Sequence, residues 1–481
     1  MIYRNTALAA GTAILTILSA CATVGPNYVK PAPLPPQAKA TIPLSYKEVD
    51  GWRLAHPKDN VLRGTWWEIY AIPELNALEE QVAVANQNVA QAEANYRQAQ
   101  ALVRASRSGF YPVVTGGASV TRSRRSAGVI GRVIGGQIFN DFLLPINFSW
   151  EIDLWGRVRR TVEAGMAGAQ ASQADLASVL LSAQALLAQD YFQLRTIDAQ
   201  KKVLEDTIGG YQKSLDLTKN RYAAGVASRA DVLQAETQLS TAQAQSIDLG
   251  VQRAQLSHAM ALLVGKPPSA FSISVAPLVS TPPAVPIGVP SDLLERRPDI
   301  ATAERSVAAA NARIGVAEAA FYPNVNLSAS AGLEAASLAK WLTWPARFWS
   351  VGPAVSEILF NGGLRQAQTE QARAAYDAEV AAYRQTVLTG FQEVEDSLVA
   401  LHVLEEEARV QQEALTAARQ TVEVVTNQYK AGTVSYLNVI VAQTTALSNE
   451  QTALNILGRR MAASVTLVKA LGGGWDASAL R

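Results

Sequence analysis

The chain has 481 residues, with 42 Lys and Arg against 41 Asp and Glu. That balance excludes the concentrated basic face that nucleic-acid binding needs. Three histidines, His56, His258 and His402, lie too far apart to suggest a metal site, and the single cysteine, Cys21, excludes an intrachain disulfide. No G-x-x-x-x-G-K-[ST], G-x-S-x-G or H-E-x-x-H motif occurs. The expectation is a protein that is not an enzyme and holds no cofactor and no metal.

Residues 1–20 read as a targeting signal. Arg4 supplies a short basic region, and residues 7–18 form an apolar run. The run is shorter than the roughly 20 residues that span a bilayer, so it fits a signal-peptide core. It ends in Leu18-Ser19-Ala20-Cys21, which resembles the bacterial lipobox, where cleavage precedes a cysteine that is then acylated. Several acyl chains, palmitate among them, would anchor the chain stably to outer-membrane lipid, whereas one binds only marginally. Ala22, in place of an Asp, favours sorting to the outer membrane. Residues 21–65 follow as an extended, proline-rich segment.

The next feature is repetition. Phe110-Tyr111-Pro112 recurs as Phe321-Tyr322-Pro323, Gly156-Arg157-Val158-Arg159 as Gly362-Gly363-Leu364-Arg365, and Arg221-Tyr222-Ala223-Ala224-Gly225 as Gln428-Tyr429-Lys430-Ala431-Gly432. The offsets by subtraction are 211, 206 and 207, so the chain divides into repeats at 66–265 and 291–472, a linker at 266–290 and a tail at 473–481. The linker holds seven prolines from Pro267 to Pro290, a density that prevents helix and favours extended chain.

No proline lies between Pro145 and Pro267 or after Pro353. Both stretches predict long helices, at 157–222 and about 230–264 in the first repeat and at 365–428 and 437–470 in the second. Gly209-Gly210 is a candidate bend in the first. Ala and Gln at many seam positions suit a coiled-coil-like assembly with close, partly wet helix contacts.

Between each Phe-Tyr-Pro and the following helix the period changes to two. Ile146, Phe148, Trp150, Ile152 and Leu154 alternate with Asn147, Ser149, Glu151 and Asp153, and Val325, Leu327, Ala329 and Ala331 alternate with Asn324, Asn326, Ser328 and Ser330. Weaker strands are predicted near 113–122 and 348–356. Lengths near ten residues match transmembrane β-strands, although soluble hairpins share the pattern. Four strands cannot close a barrel, and lipid does not tolerate open sheet edges. A membrane span therefore requires several copies, eight strands for a dimer or twelve for a trimer.

These features resemble the outer-membrane factor (TolC-like) family, in its lipoprotein branch of OprM- and NodT-type efflux proteins. The resemblance rests on Cys21 followed by Val24-Gly25-Pro26-Asn27-Tyr28, Trp66-Trp67, residues 290–300 from Pro290 through Leu293-Leu294-Glu295-Arg296-Arg297-Pro298-Asp299 to Ile300, Ala319-Ala320-Phe321-Tyr322-Pro323, and Lys469-Ala470-Leu471-Gly472-Gly473-Gly474-Trp475. It implies a duplicated, mainly α fold with transmembrane β: a homotrimer with a 12-stranded barrel continued by a periplasmic α-helical barrel. It also implies a passive exit duct for drugs, toxic compounds or metal ions. The implied partners are a periplasmic membrane-fusion adaptor and an inner-membrane resistance-nodulation-division transporter. The alternative is the exit channel of a type I protein secretion system.

Site expectations fall on the two turns between long helices. Gly225 and Gly432 suit left-handed helix ends, and Ser228 with Asp231, like Ser435 with Asn438, has the spacing of an N-cap pair. By resemblance, adaptor docking maps to Tyr222, Gly225, Val226, Ala227, Tyr429, Gly432, Thr433 and Val434. The periplasmic gate maps to Asp231, Leu437, Asn438 and Val441. Relatives often carry Asp-Ala-Gln-Arg where this chain has Val441-Ala442-Gln443-Thr444. The acidic and basic gate positions are therefore absent, which leaves apolar packing and tip hydrogen bonds to close the pore. Glu295, Arg296, Arg297 and Asp299 are expected to form a structural ion cluster at the start of a helix, and Trp341, Trp344 and Trp349 either part of an interfacial aromatic girdle or simple packing.

Overall fold

The computed structural model describes residues 23–34, 42, 45–47, 64–124, 126, 137–278, 281–283, 285 and 293–480. Residues 1–20, Cys21, Pro286 and Pro290 of the linker, and Ser291 and Asp292 lie outside these. Among the described residues no helix is long and apolar enough to cross a membrane.

The elements run α1 (Pro73–Ala85), α2 (Gln87–Arg107), β1 (Val113–Gly116), β2 (Ser119–Arg124), β3 (Ile138–Glu151), α3 (Arg157–Ala223), α4 (Arg229–Leu263), α5 (Pro298–Ala319), β4 (Asn324–Ala335), β5 (Arg347–Ser356), α6 (Leu364–Lys430) and α7 (Tyr436–Ala470). The duplication preserves the lengths of the long helices: α3 and α6 each have 67 residues, and α4 and α7 each have 35. A 67-residue helix is about 100 Å long at 1.5 Å per residue. Helix α3 runs unbroken through Gly209-Gly210, the candidate bend. Helices α1 and α2 have no counterpart in the sequence expectations, whereas α5 starts at the ion cluster, where a helix was expected. Pro73 and Pro298 each occupy the first helical position, where a missing N–H costs nothing.

By internal contacts the chain forms two compact units, each discontinuous in sequence and each drawing on both repeats. The first comprises residues 1–31, 96–171 and 303–383, and the second 32–95, 172–302 and 384–481.

The first unit contains an antiparallel sheet in the order β1-β3-β4-β5, with β2 also paired to β3. Register places Ile146 opposite Ala331 and Gly116, and Phe148 opposite Ala329 and Val114. Trp349 and Val351 continue this apolar face opposite Ala331 and Ala329. The other face carries Asn147, Ser149, Ser328 and Ser330, with the Ser330 hydroxyl donating to Asn147 Oδ1 at 2.8 Å. The alternation read from sequence is thus a real division of faces.

Three strand boundaries differ from expectation. The strand predicted at 113–122 is broken at residues 117–118, opposite Pro145, which has no N–H to donate. β3 begins eight residues before Ile146 and ends at Glu151, so Ile152 and Leu154 lie beyond it. β4 extends to Ala335, past the predicted end at Ala331.

In the first unit the Val24-Gly25-Pro26-Asn27-Tyr28 motif is a strap held from several sides. Buried Arg160 donates to the carbonyls of Val24 at 3.1 Å and Gly25 at 2.9 Å, and to Asn27 Oδ1 at 3.0 Å. Asn311 donates to the Pro26 carbonyl at 3.0 Å, and the Tyr28 hydroxyl bonds Glu304. Gly25 has φ +90°, and a Cβ there would lie 2.4 Å from Gly315 Cα, so the close approach demands glycine.

In the second unit Trp66, Trp67 and Tyr70 form a buried single turn. Tyr70 packs on Phe192 with ring centroids 4.9 Å apart and shares a 2.9 Å hydrogen bond with Ser464. The expected ion cluster centres on Arg297, which meets Asp299 and Glu393 at 2.7 Å each and the Ala470 carbonyl at 3.0 Å. Burial opposes its charge, but these partners outweigh it and raise its pKa. Asp299 also accepts from the Ile300 N–H at the start of α5. Glu295 and Arg296 are exposed at that corner.

Candidate functional site at the helical hairpin tips

The α3–α4 and α6–α7 turns both belong to the second unit. Each closes its long helix with the same backbone device. Gly225 donates to the Tyr222 carbonyl and Val226 to that of Arg221, both at 2.9 Å, while Gly432 donates to Tyr429 and Thr433 to Gln428, both at 3.0 Å. Gly225 and Gly432 sit at φ +75° and +79°. This is the paired bonding that ends a helix through a left-handed residue, so glycine is required at both places.

The helix starts differ. Ser228 and Asp231 form a complete capping box: Asp231 N–H donates to Ser228 Oγ at 3.1 Å, and Ser228 N–H to the Asp231 carboxylate at 2.9 Å. Ser435 and Asn438, expected to do the same, make no side-chain cap. A backbone contact from Asn438 N–H to the Ser435 carbonyl at 3.1 Å replaces it. The neutral amide of Asn438 is a weaker acceptor than a carboxylate, and the nearby hydroxyl, Thr433 Oγ1, donates to the Gln428 carbonyl at 3.0 Å.

Behind the turns, Leu204, Tyr211, Leu215, Ala235, Leu239 and Tyr436 belong to one buried cluster that also holds Tyr429. Tyr429 and Tyr436 pack with centroids 5.3 Å apart. The Arg221 guanidinium lies 4.7 Å from the Tyr429 ring centre and donates to the Lys430 carbonyl at 3.3 Å, which joins α3 to α6. Burial, assisted by Tyr429, Tyr211 and Asp231, pushes the Tyr436 phenol up to about 12, so it stays neutral at physiological pH.

The candidate residues divide by exposure. Tyr222, Val226, Leu437 and Val441 are exposed apolar side chains, and Gly225, Thr433 and Asn438 are also exposed. Ala227, Asp231 and Val434 are half-buried, whereas Tyr429 is 4 % exposed and belongs to the core. Leu437 borders an open groove of about 480 Å³ together with Tyr211, Leu233, Gln238, Ile440 and Thr444. Its walls carry no charged side chain. Gln238 donates to Gln443 and Gln443 to Ser214, both at 3.3 Å, so neutral amides link α4, α7 and α3.

Sequence reasoning missed a buried ionic network farther along the same helices. Asp198 on α3 is fully buried and meets Arg253 on α4 at 2.6 Å and Arg195 at 3.1 Å. Arg195 also pairs with Glu74 and donates to the Ser274 carbonyl at 2.6 Å, while Asp198 accepts from Ala276 N–H at 3.1 Å. The network pins the chain that leaves α4. No local motif announces it, because Asp198, Arg253 and Ala276 are distant in sequence. Among the described residues no group of three or more His, Cys, Asp or Glu side chains could hold a metal.

Among the described residues, a sheet with one apolar face and two open edges is joined in sequence to 67-residue helices, the plan expected of a membrane channel subunit. The model of the outer membrane efflux protein family matches residues 78–266 and again 289–473. The pyoverdine export outer membrane protein OpmQ of Pseudomonas aeruginosa is 30% identical over 467 residues, 96% of this chain and 97% of that protein. The toluene efflux pump outer membrane protein TtgI of Pseudomonas putida is 32% identical over 468 residues, again 96% and 97%. The solved outer-membrane channel OprN superposes with a TM-score of 0.87 at 30% identity, covering 94% of this chain and all of that one. The chain belongs to the outer membrane efflux protein family and has its duplicated, TolC-like fold. It is an outer-membrane efflux channel subunit that extends into the periplasm.

Proposed function

We propose that the chain is the passive exit duct of a tripartite efflux pump, with its gate and adaptor-docking surface at the two hairpin tips. It works as a homotrimer, in which three sheets, with β1 and β2 of each counting as one broken strand, close one twelve-stranded barrel, with a periplasmic membrane-fusion adaptor and an inner-membrane resistance-nodulation-division transporter. Cys21 carries the lipid anchor. The repeats at 66–265 and 291–472 act as one working unit, with no catalytic role.

The observation that carries the site reading is the exposure of apolar side chains around a groove without charges. Leu437 and Val441 are 53% and 57% exposed in the protomer. In a ring of three copies they would meet as an apolar constriction that stops flow by dewetting. Tyr222, Gly225, Val226, Ala227, Gly432, Thr433 and Val434 offer the adaptor a surface of small and apolar groups on rigid turns, and Tyr429 supports it from within. The named relatives export pyoverdine or toluene. We read this chain's cargo as small organic molecules, selected upstream of the duct.

The test is conductance in a planar bilayer together with antibiotic uptake. Leu437→Ala should raise open-channel current and uptake of large antibiotics in cells. Unchanged conductance and uptake would reject the gate. Loss of the gene should sensitise cells to small toxic compounds. Defective protein secretion with unaltered sensitivity would replace efflux with type I export.

A further inference from the structure

Each repeat turns its last strand into its long helix through a similar elbow. The first reads Glu151-Ile152-Asp153-Leu154-Trp155-Gly156-Arg157, and the second Glu357-Ile358-Leu359-Phe360-Asn361-Gly362-Gly363-Leu364-Arg365. Both are pinned alike, Arg157 to Glu151 at 2.6 Å and Arg365 to Glu357 at 2.8 Å. Each repeat also presents a Phe-Tyr-Pro just before its first strand.

Within one chain, half of the possible elbow contacts are made. Trp155 of the first elbow stacks on Tyr322 of the second Phe-Tyr-Pro, with centroids 4.8 Å apart and planes at 26°, and its indole N–H donates to the Pro323 carbonyl at 2.8 Å. The reciprocal pair stands open: Leu359 and Phe360 are 91% and 89% exposed, and Tyr111 is 71% exposed. Topology explains the difference. β3 and β4 are neighbours, which brings the first elbow beside the second Phe-Tyr-Pro. The second elbow follows β5 and the first Phe-Tyr-Pro precedes β1, and those strands are the two sheet edges. Exposed apolar groups and an unpaired edge at the same border are satisfied together by another copy of the chain.

We propose that Leu359 and Phe360 of one copy seat on Tyr111 of the next, repeating between copies the Trp155–Tyr322 contact made within each. The proposal rests on the trimeric reading above. Faces constrain the shared edge further. Trp349, Val351 and Val355 lie on the same face as Val114 and Val120, traced through the register across β4 and β3. Odd-numbered residues of β5 therefore oppose even-numbered residues of the neighbouring β1 and β2.

The experiment co-expresses a tagged Tyr111→Cys chain with an untagged Phe360→Cys chain and treats outer membranes with dibromobimane. A covalent tagged–untagged product, absent when either variant is paired with the parent chain, is expected. With both substitutions in one chain, ladders to dimer and trimer mass are expected, and cross-linking confined to monomer mass would overturn the contact. Native electrophoresis separates the failures. An intact trimer without the product refutes this contact alone, whereas absence of any trimer refutes the reading beneath it as well. As a second measure, Phe360→Ala should lower the temperature at which the detergent-solubilised trimer dissociates, and Phe360→Trp should restore it. Unchanged dissociation in Phe360→Ala would count against the proposal.

Discussion

The two repeats carry the same ion pair in opposite settings. In the first, Asp198 on α3 meets Arg253 on α4 at 2.6 Å with its side chain fully buried. Each partner recurs 207 positions later, where Glu405 on α6 meets Arg460 on α7 at 3.7 Å with the carboxylate 74% exposed. Duplication copied the pairing but not the burial. The chain leaving α4 covers the first pair, since Arg253 donates to the Ile273 carbonyl at 3.0 Å and Asp198 accepts from Ala276. A charge pair that is sealed and multiply bonded holds structure together, while the same pair in water holds little.

The sharpest way to break this comparison is to remove one carboxylate from each repeat. Asp198→Ala should cost about 3–5 kcal/mol, because Arg195 and Arg253 lose a buried partner. Glu405→Ala should cost less than about 1 kcal/mol. Chemical denaturation of the detergent-solubilised protein measures both, and equal losses would show that burial is not what separates the repeats.

A second effect also belongs to the first repeat. Glu79 on α1 is fully buried, and neither of its carboxyl oxygens has a hydrogen-bond partner among the described residues. Burial pushes its pKa up to about 9 from an ordinary 4.5. The unfolded chain releases that proton above pH 4.5 while the folded chain keeps it, so stability falls as pH rises through this window. The steepest slope from this group is about 1.4 kcal/mol per pH unit, which reaches roughly 3 kcal/mol near pH 7. Melting temperatures between pH 5 and about 9 should decline less for Glu79→Leu than for the parent. A parallel decline would mean that Glu79 finds a partner in the assembled protein.

The smallest contrast lies at the tips. Asp231→Ala removes half of a capping box and should loosen the start of α4 by about 1 kcal/mol. Asn438→Ala removes no side-chain cap and should leave α7 nearly unchanged. Amide hydrogen exchange at residues 228–232 and 435–439 reads the two tips separately. Equal loosening would show that Asn438 caps α7 in solution.

The turn geometry of the candidate site was legible in the sequence. Gly225 and Gly432 were readable as left-handed helix ends because only local sterics govern that choice. The Ser228–Asp231 box was equally local, spanning one helical turn. The symmetric expectation for Ser435–Asn438 failed because spacing does not distinguish a carboxylate from an amide as acceptor. Tyr222 and Tyr429 occupy matching positions, yet one is 47% exposed and the other 4%. Pattern alone could not separate them, since Tyr429 is covered by Arg221 and Tyr436 from other segments.

By itself the sequence determined what short-range physics controls: the repeats, the long proline-free helices, the period-two strands with one apolar face, and the glycine-closed turns. Tertiary structure alone decided which copy of a duplicated feature is buried. Asp198 became a buried anchor and Glu405 a surface charge because of chain that lies far from them in sequence. Phe360 was left bare while Trp155 was covered because β3 has a neighbour on the side where β5 has an edge. Local preference acts over a few residues, whereas burial depends on segments brought together over hundreds.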